Sequence, residues 1–151
     1  MTFALSKRSL DGLAGVDERL VKIVKRAIEI TKVDFGVTEG LRTIERQKAL
    51  VAAGKSQTMA SKHIEGKAVD LVAYLDGDVC WELNMYDEIA DAMKQAAIEA
   101  NVPVRWGCAW NVEDIRLWRG TMEEAQMFYV DMRRKENKRP FLDGPHFEIP
   151  Y

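Results

Sequence analysis

The chain has 151 residues, 30% of them charged and 47% hydrophobic, with a formal net charge of −2 at pH 7. A chain of that length can bury roughly two-thirds of the surface its unfolded form exposes, so it needs no disulfide or metal merely to fold. The near-neutral balance gives no general pull towards nucleic acid or anionic membrane, and no stretch approaches the roughly 20 apolar residues of a membrane-spanning helix.

Residues 1–151 read as one domain, without repeat, low-complexity tract or linker. Met1 to Arg8 lacks the apolar stretch of a signal peptide. In residues 17–31, Leu20, Ile23, Val24, Ala27 and Ile28 recur at helical spacing between charges, which predicts an amphipathic helix. Val33 to Thr38 is short and β-prone, and Thr43 is placed to cap a helix running to about Ala53, with Gly54 as its stop. Ala68 to Tyr74 reads as a buried strand closed by the turn Asp76-Gly77-Asp78. Asn84 to Ala100 carries Met85, Ile89, Met93, Ala96 and Ala100 on one helical face, and Asn101 with Pro103 marks its end. Val104 to Gly107 suggests another strand, Thr121 with Glu124 has capping-box spacing for a helix to about Lys135, and His146 to Ile149 is the last strand. Helices and strands mingle without regular βαβ alternation, so the expected class is α+β, a small, mostly antiparallel sheet with flanking helices.

Scarcity points to the chemistry. There are two histidines, His63 and His146, each at or beside the start of a predicted strand with acids close by. Catalytic zinc takes three protein ligands of imidazole or carboxylate type and keeps one position open. His63, Asp70 and His146 meet that need if strands 68–74 and 146–149 lie close together, with Gly66 letting the chain turn back after His63. From spacing alone, the alternative that both histidines are structural residues bonded to nearby acids stays open. Cys80 and Cys108 lack metal-site or disulfide spacing and read as free thiols of a reducing compartment.

Ser61, His63, Gly66, Ala68 and Asp70 reproduce an SxHxxGxAxD motif, and Asp143 with His146 reproduces an acid-x-x-His motif. Together they resemble the zinc D-alanyl-D-alanine carboxypeptidase and L-alanyl-D-glutamate endopeptidase family, which shares its fold with the hedgehog signalling domain. The similarity runs from Phe3 to Tyr151 and is nearest to single-domain phage endolysins. The resemblance implies a hedgehog/DD-peptidase-like fold, Zn²⁺ on His63, Asp70 and His146, and Asp143 as general base. It further implies substrate contacts from Arg42 and Ser61. Glu148 and Glu65 are rival acids; Glu148 alternates with His146 and is placed to orient it instead.

The expected activity is a zinc endopeptidase acting on the L-alanyl-D-glutamate bond of the peptidoglycan stem peptide, for phage-driven lysis. A D-alanyl-D-alanine carboxypeptidase and a non-catalytic zinc-bearing binding domain are the alternatives. The expected enzyme is a monomer without nucleic-acid partner or stable membrane insertion, held in the host cytoplasm until release across the membrane.

Three further signals are weaker. Gly54-Lys55-Ser56 lacks the first glycine of a P-loop, since Ala49 stands there. Cys108 and Ala109 depart from the Gly-Asp common in relatives between the two tryptophans, Trp106 and Trp110. Residues 133–139 form a basic run that reads as a solvated helix end.

Overall fold

A computed structural model describes residues 2–151. The order of elements is α1 (Lys7–Gly12), α2 (Glu18–Ile30), β1 (Asp34–Glu39), α3 (Ile44–Ala52), β2 (Ala68–Leu75) and β3 (Asp78–Cys80). Then come α4 (Leu83–Ala100), β4 (Arg105–Trp106), a 3₁₀ turn (Ile115–Leu117), α5 (Met122–Lys135) and β5 (His146–Glu148). The sheet runs β1-β2-β5-β4, with β3 also on β2, and each of these pairings is antiparallel. The α+β class with a small antiparallel sheet and flanking helices is the one read from the sequence.

β2 organises the sheet because it pairs β1 along one edge and is long enough for two partners along the other, β5 through Ala68–Asp70 and β3 through Ala73–Leu75. Directly opposed residues in a sheet share a face, and successive residues alternate between faces. Val69, Leu71, Trp106 and Phe147 therefore point to one side, where they are sealed against Leu20, Ile23 and Val24 of α2 and Ile89 and Met93 of α4. Each such apolar side chain contributes roughly 1.5–3 kcal/mol by burial, which makes this layer a stiff base. Asp70 and His146 are register partners, as are Arg105 and Glu148, so all four share the opposite face.

The local signals explain most boundaries. Thr43 and Thr121 cap α3 and α5, the latter with a complete capping box, and Asn101 ends α4 in the left-handed conformation at φ 55°. Asp76 and Gly77, at φ 51° and 85°, form the two-residue turn of the β2–β3 hairpin, in which both positions need positive φ. Three short elements had no sequence expectation: α1, β3 and the 3₁₀ turn. Each is too brief to show a period, and α1 is fixed instead by a tertiary bond from Val37 N–H to Ser9 Oγ at 3.0 Å.

Candidate active site

Asp70 on β2 and His146 on β5 are cross-strand neighbours, and His63 reaches them from the loop before β2. Nε2 of His63 lies 3.2 Å, and Nδ1 of His146 3.5 Å, from Asp70 Oδ1. One donor atom from each of the three residues falls within 4.8 Å of the others. Tetrahedral zinc with ligands at about 2.0–2.1 Å separates neighbouring donor atoms by about 3.4 Å, which matches the two distances to Asp70 Oδ1.

The outer nitrogens fix which lone pairs point inward. His63 Nδ1 lies 2.8 Å from the Gly40 carbonyl and donates to it, leaving Nε2 as an acceptor. His146 Nε2 donates to Glu148 Oε1 at 2.7 Å, leaving Nδ1 as an acceptor. Three acceptors then face one another, an arrangement that only a shared cation or added protons makes favourable. Burial opposes a charged His146, yet its bonds to Asp70 and Glu148 outweigh burial and push the imidazole up to about 9. Burial also opposes ionised Asp70, but the bonds from His146 and His63 hold its carboxyl well below the usual range. The donor set fits a divalent metal, and its chemistry fits zinc.

The His63 loop is held on both sides. Arg42 N–H donates to the His63 carbonyl at 2.9 Å, and Asp17 N–H donates to the Gly66 carbonyl at 2.8 Å. Gly66 sits at φ 71°, and a Cβ there would meet the Gly15 carbonyl oxygen at 2.7 Å, so glycine is required on two counts. A bulge in β1 between Val37 and Glu39 sets Glu39 opposite Asp70. Glu39 then grips Arg42 through Nε and Nη2 at 2.6 and 2.8 Å. Arg42 Nη1 donates to Gln47 Oε1 at 2.7 Å and reaches Ser61 Oγ at 3.5 Å, while Nη2 lies 3.7 Å from Asp70.

The ligands line an open cleft of about 690 Å³, with Arg42, Ser61 and the 55–58 loop on one side and Arg105, Trp110 and Phe141 on the other. Asp143 also lines it, outside the ligand trio. Burial, and next the Asp70 charge, raise its carboxyl above the ordinary carboxylate value. Its backbone is pinned by Gly107: Asp143 N–H donates to the Gly107 carbonyl at 2.9 Å, and Gly107 N–H donates to the His146 carbonyl at 2.9 Å. Trp110 packs at a tilt against His146 with centroids 5.3 Å apart and stacks on Phe141 at 6.2 Å.

Comparison with known proteins adds the remaining fact. The profile described as phage L-alanyl-D-glutamate peptidase matches residues 1–149. The chain is 34% identical over 153 aligned positions to the L-alanyl-D-glutamate peptidase of Escherichia phage T5, covering 99% of each chain. It also resembles the crystal structure of the Serratia marcescens L-Ala D-Glu endopeptidase ChiX, with a TM-score of 0.73 and 34% identity, over 100% of this chain and 95% of that one. The chain belongs to the phage L-alanyl-D-glutamate peptidase family.

In this family member, His63, Asp70 and His146 come together as the sequence suggests, and Arg42, Ser61 and Asp143 line the same cleft. Glu148 is bonded to His146, the orienting position expected of it from strand alternation. Glu65 is exposed and pairs with Lys62 at 3.4 Å. Trp106 is sealed in the core, whereas Trp110 belongs to the cleft wall. Cys80 and Cys108 are free, and burial pushes the Cys108 thiol up to about 12. Neither Gln47 nor Arg105 stands out in the sequence. Gln47 joins Arg42 to Ser56 Oγ at 2.8 Å and to the Thr58 carbonyl while fully buried in a helix, a burial that its polar neighbours in sequence do not announce.

Proposed function

We propose that this chain is a zinc-dependent endopeptidase that cuts the L-alanyl-D-glutamyl bond of the peptidoglycan stem peptide, serving as a phage endolysin. The observation that carries the reading is the convergence of Asp70 Oδ1 with two imidazole lone pairs of fixed tautomer on the floor of an open cleft. A zinc ion held by His63, Asp70 and His146 would supply Lewis acidity towards water and the scissile carbonyl. Asp143 accepts the proton of the attacking water and delivers it to the departing amine, so the C–N bond breaks as the new C–O bond becomes permanent. Its support is a half-buried carboxyl biased towards holding a proton, on the cleft and outside the ligand trio. Ser61 presents its hydroxyl to the peptide, and Arg42 behind it contributes positive potential to the oxyanion.

The enzyme works as a monomer and is stored in the host cytoplasm until a membrane lesion releases it to the wall; two free thiols suit that reducing store. Digestion of purified peptidoglycan followed by fragment mass and end-group analysis tests the bond. The reading expects new amino-terminal glutamate on the released peptides, and release of D-alanine alone refutes it.

A further inference from the structure

The bond proposed above constrains the other half of the cleft. A glutamyl residue acylated on nitrogen has two carboxyl groups, and a linear chain continues through only one of them. The other is an anion within a few bonds of the departing nitrogen. Asp143, which must reach that nitrogen, lies on the β4–β5 side, since Gly107 directly after β4 pins its backbone. On that side the leaving half meets the wall that carries Arg105, Trp110 and Phe141.

The cleft holds four cationic side chains, Arg42, Lys55, Lys62 and Arg105. Arg42 is gripped by Glu39 and Gln47, and Lys62 pairs with Glu65 at 3.4 Å. Lys55 is exposed on the far rim. Arg105 differs from all three. Its Nε donates to the Trp110 carbonyl at 2.8 Å with Nη2 on the same oxygen, and its guanidinium carbon lies 5.4 Å from the Trp110 ring centre. Nη1 makes no hydrogen bond to a described residue, and no carboxylate among the described residues lies within 4.0 Å of the guanidinium. Glu148, opposite it in the β4–β5 ladder, is turned to His146 instead. Arg105 is a positioned, unneutralised cation on the same sheet face as Asp70, His146 and Glu148.

We infer that Arg105 is a specificity-determining residue, its guanidinium receiving the free carboxylate of the glutamyl residue on the leaving side of the scissile bond. The inference rests on the endopeptidase reading. Its test uses two synthetic stem peptides with an L-alanyl-D-glutamyl bond, identical except that the free glutamyl carboxylate of one is a carboxamide in the other. A charge-assisted hydrogen bond lost from such a site lowers kcat/KM by about 10- to 100-fold, so wild-type protein prefers the carboxylate by that factor. Arg105→Gln erases the preference to within about threefold by losing rate on the carboxylate peptide while keeping its rate on the carboxamide. Arg105→Lys, with a point charge, restores part of it. Zinc content and melting temperature of both variants establish that the site is intact. A preference that survives in Arg105→Gln overturns the inference and leaves the endopeptidase standing. A preference lost in Lys55→Gln and kept in Arg105→Gln moves the anion site to the far rim, which likewise overturns the role of Arg105 alone. Wild-type protein that cuts neither peptide at this bond overturns both readings.

Discussion

Removing the Glu148 carboxylate tests whether this acid orients a ligand or does chemistry. Its Oε1 accepts from His146 Nε2 at 2.7 Å, and the pair is buried, with Glu148 only 7% exposed. In Glu148→Ala the ring keeps its proton without a partner or moves it to Nδ1, the nitrogen that must bind metal. An unsatisfied buried donor costs about 1–3 kcal/mol, and loss of such outer partners weakens metal binding by about 10- to 100-fold. Competition against a chromophoric chelator should show zinc affinity falling by that factor. Glu148→Gln, whose carbonyl can still accept, should fall far less. Turnover at saturating zinc should recover to within about tenfold of wild type in both variants. Unchanged zinc affinity in Glu148→Ala, or activity that saturating zinc fails to restore, refutes the orienting role and returns Glu148 to candidacy as the base.

Other outcomes follow from the same geometry. Asp143→Asn should retain zinc by metal analysis yet lose about 10²–10⁴-fold in kcat, measured on purified peptidoglycan. Gly107→Ala places a methyl 2.2 Å from the Asp143 carbonyl oxygen, so thermal unfolding should reveal a loss of about 1–3 kcal/mol, with activity reduced as the 143–146 turn shifts. Asp87 on α4 has a buried Oδ1 without a hydrogen-bond partner; burial, then the charges of Glu123, Asp91 and Glu88, raise its carboxyl to about 6. The native state therefore holds this proton more tightly than the unfolded chain. Its contribution to stability is complete below the ordinary value of 3.8 and is lost as pH rises through about 6. Asp87→Asn should gain about 1–2 kcal/mol at pH 7.5, and the gain should vanish towards pH 4 in urea titrations.

What the sequence disclosed follows the range of the forces involved. α2 and α4 are long and amphipathic, so their period was readable, and Thr43, Asn101 and Thr121 marked ends because capping is local chemistry. The metal trio was legible because two complete motifs single out His63, Asp70 and His146, although the distance between them in the chain gave no geometry. The direct pairing of Asp70 with His146 is a matter of register, which depends on the whole of β2 and β5. Gln47 and Arg105 stayed hidden for the same reason. A glutamine inside α3 and an arginine in a two-residue strand look like surface residues until tertiary packing seals one and sets the other beside Trp110. Glu148 was ambiguous because alternation along β5 puts it on the right face without saying which group it touches.

The central claim is that His63, Asp70 and His146 hold a catalytic zinc, and one combined measurement addresses it. Metal content by mass spectrometry is determined on the purified protein alongside its release of glutamate-terminated peptides from peptidoglycan, before chelation, after it, and after zinc is returned. Close to one zinc per chain is expected, with metal and cleavage lost together and recovered together. A metal-free preparation that still cuts the bond at full rate contradicts it.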